Sequence, residues 1–192
     1  DNRDFLNDYE KGIVEDIPSD CQGHGTAVAG IIGAVGDNVE SIAGVAWKVK
    51  LVSLKVINSK KQTKNHWIMR AINYAAAARI PILNYSGCID GYDSDVRKAI
   101  ASYNGLFIAA SGNNGTNNDI EALYPASYNL DNIISVAAID QNRQICDFSN
   151  YGRASVDLFA PGIDIISTQK GGAYEYNPIK GTSFAAPHVT GV

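Results

Sequence analysis

The sequence predicts an α/β fold, a three-layer sandwich with a mostly parallel central sheet. Three observations carry this. The 192 residues suit one domain around a single shared core. Short β-branched or aromatic runs alternate with stretches of helical period, the order expected of a parallel sheet covered on both faces. A chain that is 45% hydrophobic and 19% charged is not disordered, and its 18 glycines against 6 prolines supply tight turns without a Pro-rich linker.

The first helix is expected over residues 26–35, an apolar stretch that follows Gly23, His24 and Gly25. Residues 50–57 (KLVSLKVI) then read as a buried strand. Residues 65–79 place Trp67, Ala71, Ile72 and Ala75 at helical spacing, and residues 80–85 (IPILNY) return to a strand. Residues 95–104 read as a helix with Val96, Ala99 and Ile100 on one face. Strands are expected at 105–110 (GLFIAA), 132–139 (NIISVAAI) and 156–160 (VDLFA), each ended by turn-forming residues. The last helix is expected over 183–192, after Gly181 and Thr182. Open parallel sheets bind ligands at the carboxyl ends of their strands, so function is expected on strand-to-helix loops. The helices at 26–35 and 183–192 fit the alternation poorly. Each sets a polar side chain, His24 or Ser183, at a helix N-terminus, where unpaired N–H groups favour negative charge.

Composition and spacing exclude several functions. Lys plus Arg is 16 and Asp plus Glu is 20, a net charge of −4, so no nucleic acid partner is expected. No apolar run reaches the roughly 18–20 residues of a membrane span, and residues 1–8 are acidic and polar where a signal peptide is basic and then apolar. Cys21, Cys88 and Cys146 allow at most one internal disulfide and match no four-ligand zinc spacing, so no metal is assigned. Gly23, Gly25 and Gly30 approximate a dinucleotide-binding spacing, but the residues before them are acidic and include Pro18 where a buried strand is required. Lys180 precedes Gly181, which excludes a phosphate-binding P-loop.

Three segments remain. His24 lies in residues 23–30 (GHGTAVAG), where alone it reads as a turn residue. Asn113 lies in residues 110–115 (ASGNNG), just after an expected strand, where alone it reads as a turn. Ser183 lies in residues 181–191 (GTSFAAPHVTG), where alone it reads as a helix cap beside a glycine that allows close backbone approach. Together, in this order and at these intervals, they resemble the histidine, oxyanion-asparagine and serine signatures of the subtilisin-like serine proteases, peptidase family S8. The resemblance extends through residues 41–47 (SIAGVAW), 124–126 (YPA), 147–152 (DFSNYG) and 160–162 (APG), and so covers nearly the whole chain.

The resemblance implies a subtilisin-like fold and a serine endopeptidase that works through an acyl-enzyme. Ser183 would attack the scissile carbonyl, His24 would take its proton and return it to the leaving amine, and Asn113 with the Ser183 N–H would bind the oxyanion. Ser86, Gly87 and Cys88, and separately Ala109, Ala110 and Ser111, resemble the two segments that line the substrate cleft and pair with the peptide backbone. Protein or peptide substrates, an N-terminal pro-segment and secretion follow from the same resemblance, and no cofactor is required. Residues 36–40 (GDNVE) resemble a loop that holds a structural calcium in some relatives, but by ligand count they read more readily as a solvated turn.

The chain also departs from the family pattern. There the catalytic aspartate ends an apolar strand upstream of the histidine, whereas Asp1, Asp4, Asp8, Asp16 and Asp20 follow none, so no catalytic Asp is assigned. Residues 1–192 are accordingly expected to be part of a peptidase S8 catalytic domain, without the strand that carries the aspartate and without the C-terminal end. Ala27 stands where many relatives carry a second histidine. Leu123 falls where a small residue often floors the first specificity pocket, which implies a shallow pocket. The unassigned aspartate leaves open a catalytically inactive peptide-binding module, and the same serine chemistry would serve a transpeptidase or macrocyclase that passes the acyl group to an amine.

Overall fold

The computed structural model describes residues 3–4, 20, 22–39, 42–171 and 177–192. In chain order its elements are β1 (Arg3–Asp4), α1 (His24–Gly33), β2 (Leu54–Lys55), α2 (Asn65–Ala77), β3 (Ile82–Tyr85), α3 (Ser94–Ala101), β4 (Leu106–Ala110), β5 (Ile133–Ile139), β6 (Leu158–Pro161) and α4 (Thr182–Gly191). Strands β3, β4, β5 and β6 form a parallel sheet in that order, and β1 pairs in parallel with β2.

The layering follows from alternation along β4. Phe107 and Ala109 enter a core with Ile68, Ala71, Ile72 and Ala75 of α2 and Val96 and Ile100 of α3. Ile108 and Ala110 face the other way, into a second core with Ala185 and Ala186 of α4. Successive strand side chains point to opposite faces, so an unbroken apolar run is stable only in a sheet covered on both sides. β5 repeats the pattern, with Ile133 in the first core and Val136 and Ala138 in the second. Enclosing a side chain such as Phe107 or Ile108 contributes roughly 1.5–3 kcal/mol. Ala27, Val28, Ile31 and Ile32 of α1 pack with Phe184 of α4 in a third cluster. The three-layer α/β architecture expected from the sequence is the one observed.

Local chemistry sets the ends of the elements. The buried residues of α2 recur at i, i+3, i+4 and i+7, and the helix stops short of the expected residue 79. Arg79 takes a left-handed φ of 55°, and Pro81 has no N–H with which to continue. α3 begins where the Asp93 carboxylate accepts the N–H groups of Asp95 and Val96 at 2.8 and 3.0 Å. The buried strand expected over 50–57 needs correction. Only Leu54 and Lys55 pair, with β1, and Leu51 is exposed. β-propensity is realised only where a neighbouring strand offers its backbone.

Candidate active site

Asp20 sets the start of α1. One of its carboxylate oxygens accepts the N–H groups of Gln22 and Gly23 at 3.0 and 2.8 Å, and the other accepts the N–H and Oγ1 of Thr26 at 2.8 and 2.7 Å. The helix therefore opens at His24, two residues before the expected Thr26, with Gly23 turning the chain at φ 83°. Partial burial alone would raise the Asp20 pKa, but the bonds from Thr26, Gln22 and Gly23 outweigh it and hold the pKa down at about 2. On the other side, Ser167 Oγ and Thr168 Oγ1 donate to the carbonyls of Ala27 and Thr26 at 2.6 and 2.7 Å. They lie so close that a methyl group on Gly30 would strike both side chains.

That clamped turn presents His24, whose ring packs tilted against Phe184 with centroids 5.4 Å apart. Burial lowers the imidazole pKa from its ordinary 6.5; the charge of Asp20 works against this and that of Lys61 works with it. A ring that is neutral at neutral pH is available to accept a proton. Lys61 belongs to a loop fastened to the entry of α1, because Gln22 Nε2 donates to the Asn58 carbonyl at 2.8 Å.

Phe184 follows Ser183, the second residue of α4. Pro187 lies inside this helix and has no N–H for the carbonyl four residues earlier, that of Ser183. Ser86 Oγ supplies the missing donor at 2.7 Å, while Ser183 Oγ donates to the Ser86 carbonyl at 3.3 Å. The second bond is long for O–H···O, so little holds the Ser183 hydroxyl in that rotamer. Ser86 Oγ also accepts from Asn84 Nδ2 at 2.9 Å, and Asn84 Oδ1 accepts from Thr190 Oγ1 at 2.9 Å. Both ends of α4 are thus tied to β3 and the segment after it.

Asn113 approaches from the opposite flank. Its Oδ1 accepts the N–H and Oγ1 of Thr182 at 2.8 and 3.0 Å, and Thr182 Oγ1 accepts the Gly112 N–H at 3.1 Å. With the oxygen end committed to donors, Nδ2 is the end turned outward. A methyl group on Gly181, whose φ is 144°, would sit 3.5 Å from that nitrogen.

His24 therefore packs on Phe184, the residue after Ser183, and Asn113 bonds to Thr182, the residue before it. Of the residues expected to line a cleft, Ser86 touches Ser183 directly, and Gly87 and Cys88 follow it beyond the end of β3. Ala109 is paired with Tyr85 on one side and Ser135 on the other, and Ala110 with Val136. Ser111 Oγ donates to the Asn150 carbonyl at 3.0 Å. The side chains of Ala109, Ala110 and Ser111 are all buried. Cys88 and Cys146 are free thiols, while Cys21, Glu40 of the calcium-like loop, Asp1, Asp8 and Asp16 lie outside the described residues. Among the described residues no group of three or more His, Cys, Asp or Glu gathers as metal ligands, and no helix is long and apolar enough to cross a membrane. Sequence reasoning missed the role of Asp20, although an Asp just ahead of a helix start is itself a capping signal.

The Subtilase family, Peptidase_S8, matches residues 1–192. Subtilisin-like protease 2 of Plasmodium falciparum (isolate 3D7) is 40% identical over 197 residues, covering 99% of this chain and 14% of that protein. The Major intracellular serine protease of Bacillus subtilis (strain 168) is 38% identical over 198 residues, covering 98% of this chain and 59% of that protein. A solved structure described as a cold adapted subtilisin-like serine proteinase matches with a TM-score of 0.78 at 30% identity, covering 92% of this chain and 62% of that one. The chain therefore spans 14% and 59% of the lengths of these two sequence relatives.

Proposed function

Because the chain belongs to the Subtilase family, we propose that it carries the nucleophile, base and oxyanion donor of a serine endopeptidase that hydrolyses peptide bonds through an acyl-enzyme. The observation that supports this reading is that the two chain neighbours of Ser183 each hold one of the other candidate groups, His24 packed on Phe184 and Asn113 bonded to Thr182. Ser183 Oγ leaves its long bond to the Ser86 carbonyl, gives its proton to His24 and attacks the scissile carbonyl. The oxyanion then meets Asn113 Nδ2 and the Ser183 N–H, one of the donors that the first turn of any helix leaves unpaired. His24 returns the proton to the leaving amine, and water releases the acyl group by the same steps in reverse. Asp20 is not the partner that orients the imidazole, since both its oxygens are committed to the entry and first turn of α1, but its charge favours the imidazolium that forms.

The substrates in this reading are proteins or peptides, with Ser86, Gly87 and Cys88 offering backbone to the bound strand. A pro-segment and secretion rest on family resemblance, and because one relative is named as intracellular, membership assigns no compartment. The inactive-module and acyl-transfer alternatives draw no support from relatives that are named as proteases. A fluorophosphonate probe tests the proposal. Labelling of Ser183, absent in Ser183→Ala and reduced in His24→Ala, is the expected result. An unlabelled Ser183 in a folded protein that also cleaves no peptide overturns it.

A further inference from the structure

The loop that presents Asn113 is built around two buried carboxamides that the mechanism does not use. Asn150 and Asn118 are 1% and 3% exposed. Asn150 Oδ1 accepts the N–H groups of Asn114 and Thr116 at 2.8 and 3.3 Å, the backbone donors on either side of Gly115. Asn150 Nδ2 donates to Asn118 Oδ1 at 2.9 Å, and Asn118 Nδ2 donates to the Ser111 carbonyl at 2.8 Å. The Asn150 backbone closes the ring. Its N–H donates to the Gly112 carbonyl at 2.9 Å, and its carbonyl accepts Ser111 Oγ at 3.0 Å. Ser111, Gly112, Asn114 and Thr116 are therefore all held from inside by one connected network, while the Asn113 side chain turns the other way, to Thr182. Gly112, at φ 116°, admits this packing, because a methyl group there would run into Leu123 and Asn150.

We propose that Asn150 and Asn118 are positioning residues for oxyanion stabilisation, setting the loop from which Asn113 reaches the developing charge. The inference rests on the endopeptidase reading and deepens it. A hydrogen-bond donor stabilises a transition state only if it already points at the place where charge appears, and a misplacement of about 1 Å costs on the order of a hundredfold in rate. The Thr182 contact orients the Asn113 amide from one side, and the Asn150 and Asn118 pair fixes the backbone beneath it. Neither of these two side chains touches substrate, so their loss acts on kcat through Asn113 and leaves ground-state binding in place.

The test is a kinetic cycle in the protein as naturally produced. Asn150→Ala and Asn118→Ala are measured alone and on an Asn113→Ala background, with kcat and KM read separately on one peptide substrate. Ile100→Ala, in the core under α2 and α3, serves as a destabilised control read at equal loss of Tm. The expected result is a fall in kcat of about tenfold to a hundredfold with KM within about threefold, and no further fall once Asn113 is already Ala. Asn118→Ala removes fewer bonds than Asn150→Ala and carries the comparison where the latter does not fold. Full kcat in either folded variant, a fall no larger than in the Ile100→Ala control, or the same fold-loss with and without Asn113 overturns the inference. If Asn113→Ala itself leaves kcat unchanged, the oxyanion role fails and the inference fails with it. If Asn113→Ala lowers kcat while the two variants do not, only the inference fails.

Discussion

Ser86 and Ser183 bond to one another twice, each hydroxyl donating to the carbonyl of the other residue, at 2.7 Å from Ser86 and 3.3 Å from Ser183. The pairing exists because Pro187 leaves the Ser183 carbonyl without its helical donor. Ser86→Ala should therefore cost about 1–3 kcal/mol, the penalty of an unsatisfied carbonyl, and lower turnover about tenfold by loosening the backbone that carries Ser183, the proposed nucleophile. On a Pro187→Ala background the helix regains a donor for that carbonyl, so the stability cost of Ser86→Ala should shrink. Denaturant melts of the four proteins measure the coupling, and equal costs in both backgrounds would contradict it.

Asp20 ties the entry and first turn of α1 with four hydrogen bonds, two to Gln22 and Gly23 and two to Thr26, and Asp20→Ala should cost about 1 kcal/mol at pH 7. The folded state holds its pKa at about 2, below the ordinary 3.8, so the contribution is complete above pH 5 and fades as pH falls through 2. The gap in unfolding free energy between the two proteins should accordingly narrow with acidification over that range. A gap that stays constant from pH 7 to pH 2 would mean that the carboxylate contributes nothing as an anion.

Burial keeps His24 below 6.5, Asp20 pulls its pKa up and Lys61 pushes it down. Since only the neutral ring is a base, the acidic limb of kcat/KM should lie below pH 6.5. Lys61→Glu replaces a repelling charge with an attracting one, raises the imidazole pKa and moves that limb to higher pH. Asp20→Asn should move it the other way. Lys61 is exposed, so its effect should be largest at low ionic strength and shrink with added salt. A limb that moves to lower pH in Lys61→Glu would reverse the assignment.

How far the sequence could be read depended on the distance over which each interaction acts. Helical period in residues 65–79 located α2 to within two residues, and the apolar runs located β3 to β6, because both signals are local. The run at 50–57 misled because a strand is a relation between segments, and only Leu54 and Lys55 find a partner. His24, Asn113 and Ser183 were legible as motif residues. Their supports were not. Ser86 meets Ser183 across 97 positions and Asn150 meets Asn114 across 36, separations at which neither period nor turn chemistry speaks.

Leu123 carries the specificity prediction. It is half-buried beneath the loop that carries Asn113, packed where a methyl group on Gly112 would collide with it, and it precedes Tyr124 and Pro125 at the position expected to floor the first specificity pocket. A leucine there fills space that a large substrate ring would need, so peptides with Ala or a small aliphatic residue before the cut should be cleaved faster than those with Phe. Leu123→Gly removes the obstruction and should raise kcat/KM for Phe relative to Ala by about tenfold or more, since each methylene of fit is worth about 1–3 kcal/mol. The same change should lower stability by about 2 kcal/mol, because the cavity is not refilled in the free enzyme. A series of peptides differing only at that residue measures both proteins. Strong preference for Phe in the unsubstituted enzyme, or an unchanged ratio in Leu123→Gly, would place the floor of the pocket elsewhere.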